Sequence, residues 1–188
     1  LSALGRVRLI MLAVVALVLQ RTLLDGLRLS GAHPDVMVVL VLAIGYLGGP
    51  ERGALAGFLI GLLVDAFLPT PFGLTALTWT LAGYGAGLVK QSVLESSGIT
   101  TALTVVGGSM VATAGFAVLA ALLGQPDVLH AHLAVVLIVV GAGAVVLGPV
   151  CLWACSWAGV RAASEKESQP GAALGAAGAA RVANRVSR

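Results

Sequence analysis

RGALAGFLIGLLVDAF, residues 52–67, places Gly53, Gly57, Gly61 and Asp65 at intervals of four in an otherwise apolar segment. On a helix that interval advances about 40° per step, so the four residues form one slowly drifting stripe. Glycines along a stripe let another backbone approach closely, which is how helices associate where no hydrophobic force drives them together. A carboxylate at the foot of the stripe is costly against lipid. The stretch therefore reads as a packing seam in a membrane bundle, with a polar group near one end.

The rest of the chain agrees. Of 188 residues, 59% are hydrophobic and 10% charged, against about 25% charged in soluble domains. Mean hydropathy is +1.02. Ser96–Pro126 and Val128–Val160 are charge-free runs of 31 and 33 residues, and Phe67–Val89 is a third of 23. About 20 residues suffice for a helix to cross the hydrocarbon core. Arg6 and Arg8 ahead of Leu9–Leu19 resemble the start of a signal peptide, but Gln20, Arg21 and Thr22 follow where a small-x-small cleavage site belongs. The segment is accordingly read as an uncleaved first span.

Breaks at Pro, Gly and charge clusters predict six spans in an all-α, polytopic bundle. They are Val7–Leu24, Pro34–Gly49, Gly53–Leu68, Phe72–Val89, Ile99–Leu123 and Ala131–Trp157. The second and third are expected to form a hairpin around a tight turn at Gly48-Gly49-Pro50-Glu51-Arg52. With the N-terminus inside, nine of the eleven Lys and Arg residues face inward; Arg21 and Arg28 face out. Both termini are thus expected in the cytoplasm, and the net charge of +3 needs no nucleic-acid partner. Residues 1–160 form the expected bundle. The Ala/Gly/Arg tail, residues 161–188, has almost no aromatic or long aliphatic side chains and is expected to be mostly disordered or weakly helical in isolation.

Little in the chain suggests catalysis. There is no Walker-type phosphate loop, no Ser–His–Asp order and no haem motif. His130 and His132, with Asp127 nearby, are read as a wet loop, because residues two apart on a helix point apart and zinc needs more ligands. Cys151 and Cys155 share a helix face and are read as packing residues. Arg21 and Asp25 suit a juxtamembrane ion pair. No catalytic residue, cofactor or metal is expected. Asp65 keeps two readings: a functional intramembrane charge, or a brace for the following Pro69-Thr70-Pro71 turn. Further close-packing signals are Gly45-x-x-x-Gly49, Gly83-x-x-x-Gly87 with Gly85 between, and Gly141, Gly143 and Gly148.

These residues also carry a family resemblance. Leu19-Gln-Arg-Thr-Leu-Leu24 precedes a polar, glycine-containing loop and Pro34-Asp35 at the head of an apolar span. Gly53 to Asp65 follows with Phe58, then Phe72-Gly73-Leu74, then Gly83-Tyr84-x-x-Gly87. Over residues 19–89 this order resembles MreD, the bacterial rod shape-determining membrane protein family. The resemblance implies a six-helix fold like the substrate-binding subunit of energy-coupling-factor transporters. It also implies a non-enzymatic scaffold in the inner membrane, serving side-wall peptidoglycan synthesis. The implied partners are an MreC-type protein and, in a larger complex with MreB, a RodA-type glycosyltransferase and a class B penicillin-binding protein. The family pattern falls on Pro34, Asp35, Gly57, Phe58, Gly61, Asp65 and Gly73, with Gly83 and Gly87 beyond. Gly53, Gly57, Phe58, Gly61 and Asp65 are the expected helix-packing or partner-binding residues. The long tail departs from the family pattern. A vitamin-binding transporter subunit is the alternative, although few side chains beyond Trp79 and Tyr84 suit a ligand.

Overall fold

The computed structural model describes residues 3–20, 22, 35–66, 73–92, 98–123 and 133–160. Six α-helices, and no strand, occur among them: α1 Ala3–Leu19, α2 Val36–Gly48, α3 Pro50–Asp65, α4 Leu74–Ser92, α5 Gly98–Leu122 and α6 Leu133–Trp157. Gly98–Leu122 and Ala134–Trp157 are long and apolar enough to cross a membrane; Val7–Leu19 and Val36–Gly48 are shorter apolar helices. Pro34, the Arg21–Asp25 pair, the Pro-Thr-Pro turn, the two histidines and the tail lie outside the described residues.

The bundle is organised around α2. Its sequence, VMVVLVLAIGYLG, has no polar face, and a helix apolar all round belongs inside a bundle. All 13 of its residues are buried, and it touches each of the other five helices. Asp35 caps its start, accepting hydrogen bonds from Met37 N (3.0 Å) and Val38 N (3.4 Å). Gln20, just past α1, donates to Asp35 Oδ1 (3.1 Å) and accepts from Met37 N (3.3 Å), which ties the two helices together.

The expected five-residue turn before the third span is shorter in the structure. Only Gly49 separates α2 from α3, at φ +92°, a left-handed conformation that glycine adopts without strain. Helix α3 begins at Pro50, three residues earlier than the apolar pattern suggested. The reason is local. Proline at the first helical position lacks only an N–H that has no helical partner there, and Glu51 favours the positive helix start.

Successive helices run up and down. Gly115 of α5 packs against Thr78 of α4, while Gly141 and Gly148 of α6 face Met110 and Val105 of α5 in antiparallel order. Cys151 and Cys155 are free and buried in the core.

Candidate functional site

The glycine stripe of α3 meets the backbone of α4. A Cβ at Gly61 would lie 2.5 Å from Ala76 Cα, and one at Gly57 would lie 2.5 Å from the Trp79 carbonyl carbon and 2.8 Å from Thr80 N. One at Gly53 would reach Gly83 C at 2.7 Å and Gly45 Cα at 2.6 Å. Three helices therefore converge on Gly45, Gly53 and Gly83, and a side chain on any of them would force the backbones apart. Gly87 closes the seam against the Gly49–Pro50 corner, with Gly49 C 2.6 Å from its would-be Cβ. Gly85, on the same helix as Gly83 and Gly87, has nothing within 4 Å of that position.

Asp65 continues the stripe one turn beyond Gly61, where α4 begins. The side chain is 2% exposed. Its Oδ2 accepts from Gly73 N (3.0 Å) and Ala76 N (3.1 Å), and its Oδ1 from Thr75 N (3.3 Å). The first four N–H groups of a helix have no partner within the helix, and in hydrocarbon each such group costs several kcal/mol. A carboxylate carried on α3 thus caps α4 across the seam. Its negative charge also suits the positive end of the α4 dipole. Gly73 sits at φ +96°, which lets its N–H turn toward Asp65. The neighbouring Thr75 Oγ1 is buried and has no hydrogen-bond partner among the described residues.

The structure separates the expected site residues into two groups. Gly53, Gly57, Gly61 and Asp65 are buried and satisfied by α4 of the same chain, with Gly83, Gly87 and Gly73 as their counterparts. Phe58 points away from the seam and is 48% exposed, on a face shared with Leu55, Leu59 and Leu63. Asp35 belongs to the Gln20 tie between α1 and α2. Of the aromatic residues weighed for a ligand, Trp79 is buried and Tyr84 exposed.

Charge is unevenly distributed between the two ends of the bundle. Asp35 and Asp65 lie at one end, where α2 and α4 start and α3 finishes. Arg8, Arg52 and Lys90 lie at the other. There Arg8 stacks over Trp157 (4.8 Å to the ring centroid) and Lys90 over Tyr46 (5.2 Å), while Arg52 Nη1 donates to Val160 O (3.4 Å). Thr101 Oγ1 donates to Tyr46 OH at 2.9 Å. The sequence gives Lys90 a place only among the inward-facing basic residues and gives Tyr46 and Thr101 none, because residues so distant along the chain meet only through the packing of α2, α4 and α5. The single early signal was Lys90 closing a long apolar run.

Neither a curated protein nor a solved structure matches the chain. A family model, described as rod shape-determining protein MreD, matches residues 3–131. That range holds helices α1 to α5, the Gln20–Asp35 tie, the glycine seam and the Asp65 cap. The chain therefore belongs to the MreD family of rod shape-determining proteins.

Proposed function

We propose that this protein is a multi-pass scaffold in the bacterial inner membrane that holds the transmembrane helix of an MreC-type protein and so positions the peptidoglycan synthases of cell elongation. Family membership makes it a rod shape-determining membrane protein, and the family is a structural rather than an enzymatic one. The further reading extends this to a RodA-type glycosyltransferase and a class B penicillin-binding protein as members of the larger complex. It also takes the bundle, residues 1–160, as similar in fold to the substrate-binding subunit of energy-coupling-factor transporters, with the 161–188 tail and both termini cytoplasmic. Support for that orientation comes from Arg8, Arg52 and Lys90 sharing one end of the bundle.

The observation that carries the scaffold reading is the division of α3 into two faces. The glycine face is closed by α4. The opposite face leaves Leu55, Phe58, Leu59 and Leu63 exposed, from 39% to 60%. The proposed partner helix meets the Phe58 face, opposite the seam. Association in the membrane depends on close van der Waals packing, so truncating the largest side chain on the face weakens it most. Co-purification in mild detergent tests this. Phe58→Ala is expected to lose the MreC-type partner while its thermal melting stays within about 1 kcal/mol of the parent, as for an exposed substitution. Retention of the partner by both Phe58→Ala and Leu59→Ala would refute the assignment of this face.

A further inference from the structure

Two cavities at the basic end lie side by side. The first, ≈ 350 Å³, lies between the end of α2, the start of α5 and the end of α6, and its polar lining includes Tyr46, Thr101 and Ser156. The second, ≈ 300 Å³, is an apolar slot between α5 and α6, lined by residues such as Ala102, Val105, Val145 and Pro149. Both are walled by Gly98, Thr101 and Leu152. A hydroxyl-lined chamber thus adjoins a hydrocarbon-lined slot. Ala102, Val145 and Pro149 are exposed on the slot's outer side, so it opens sideways from the bundle.

Charge and aromatic residues mark the chamber as lying at headgroup depth. Lys90 stands over the Tyr46 ring that forms part of its wall. Trp153, 71% exposed, lines it, and Trp157, 57% exposed, follows one turn later beneath Arg8. Exposed tryptophans at a helix end are characteristic of a membrane–water interface. The described charges at this end are Arg8, Arg52, Lys90 and the exposed Glu51, a net positive set. By contrast, the larger groove between α4 and α5, ≈ 550 Å³, is lined almost wholly by apolar and small residues and has no charged group in its walls.

We propose that the two adjoining cavities bind one anionic phospholipid, its phosphate in the Tyr46–Thr101–Ser156 chamber near Lys90 and an acyl chain in the α5–α6 slot. The site rests on the membrane-embedded reading of the bundle and is independent of the partner-binding face of α3. Tyr46 OH accepts from Thr101 and so keeps its own proton for a phosphate oxygen, and the Lys90 ammonium supplies the charge that favours an anionic over a zwitterionic headgroup. A chain in the slot fills space that the two helices leave between them.

The test uses the full-length protein in nanodiscs of phosphatidylcholine with increasing phosphatidylglycerol, and native mass spectrometry to count retained lipids. Phosphatidylglycerol is expected to be retained over phosphatidylcholine by about fivefold, the factor one basic residue contributes at an anionic surface. Lys90→Gln removes the charge, and Val145→Trp plugs the slot from its exposed side. Each should abolish the preference, with melting in pure phosphatidylcholine confirming the fold. If Val145→Trp does not fold, Ala102→Trp blocks the opposite wall. Equal retention of the two lipids by the parent protein overturns the proposal, as does a preference that survives either substitution. Inorganic phosphate raising the melting temperature as much as phosphatidylglycerol also overturns it, in favour of a soluble anion. Co-purification of the MreC-type partner, measured in parallel, separates failure of this site from failure of the scaffold reading.

Discussion

Gly57→Ala and Gly85→Ala are the same chemical change on two packed helices, and the structure gives them opposite signs. Alanine is the better helix former by about 1 kcal/mol, so an unopposed replacement stabilises. At Gly85 nothing lies within 4 Å of the added methyl, and that gain is expected in full. At Gly57 the methyl would sit 2.5 Å from the Trp79 carbonyl carbon. Ordinary carbon contact is about 3.5–4.0 Å, so α3 and α4 must separate by about 1 Å. A gap of that size forfeits up to about half of each dispersion contact along the seam. The atoms in the way are backbone and cannot rotate aside. Overpacking of this kind costs about 1–3 kcal/mol before seam losses are added, so the net change at Gly57 is a destabilisation of about 2 kcal/mol. The two variants then differ by about 3 kcal/mol. For a chain of this size that corresponds to roughly 6–12 °C in melting temperature. Thermal unfolding of purified protein in one detergent measures the difference directly. A Gly57→Ala variant that melts at or above the temperature of Gly85→Ala would refute the seam argument.

Two further substitutions test the polar ties. Asp65→Asn exchanges one of two acceptor oxygens for a donor, opposite N–H groups that are already donors. At least one buried N–H of Gly73, Thr75 or Ala76 is left unpaired, so a loss of about 1–3 kcal/mol is expected in the same melting assay; no loss would show that water replaces the cap. Asp35→Ala removes both the α2 cap and the acceptor for Gln20. A loss of about 1 kcal/mol is expected from the cap, together with faster hydrogen exchange in the last turn of α1, and unchanged exchange there would break the link between the two helices.

Much of this protein was legible from residue spacing. The four-residue ladder from Gly53 to Asp65 reads as one stripe of a helix, and in the structure its glycines lie against the α4 backbone. The absence of polar residues from Val36 to Gly48 left that helix nowhere to go except among apolar neighbours. The start of α3 was read late because hydrophobic pattern outweighed the local preference of Pro50 and Glu51 for a helix's first turn.

What the one-dimensional pattern does not contain is the identity of the surface across the seam. A glycine stripe accepts any helix that fits, from this chain or another, and the expectation left both open. Tertiary structure closes it with α4: Gly83, Trp79 and Ala76 come into register with Gly53, Gly57 and Gly61. The same register sets Asp65 against the start of α4, so a residue that composition marks only as an expensive charge becomes a cap for three N–H groups. It likewise turns Phe58 outward and gathers Tyr46, Lys90, Thr101 and Ser156 at one end. Spacing along a helix fixes which residues share a face; only packing decides what that face meets.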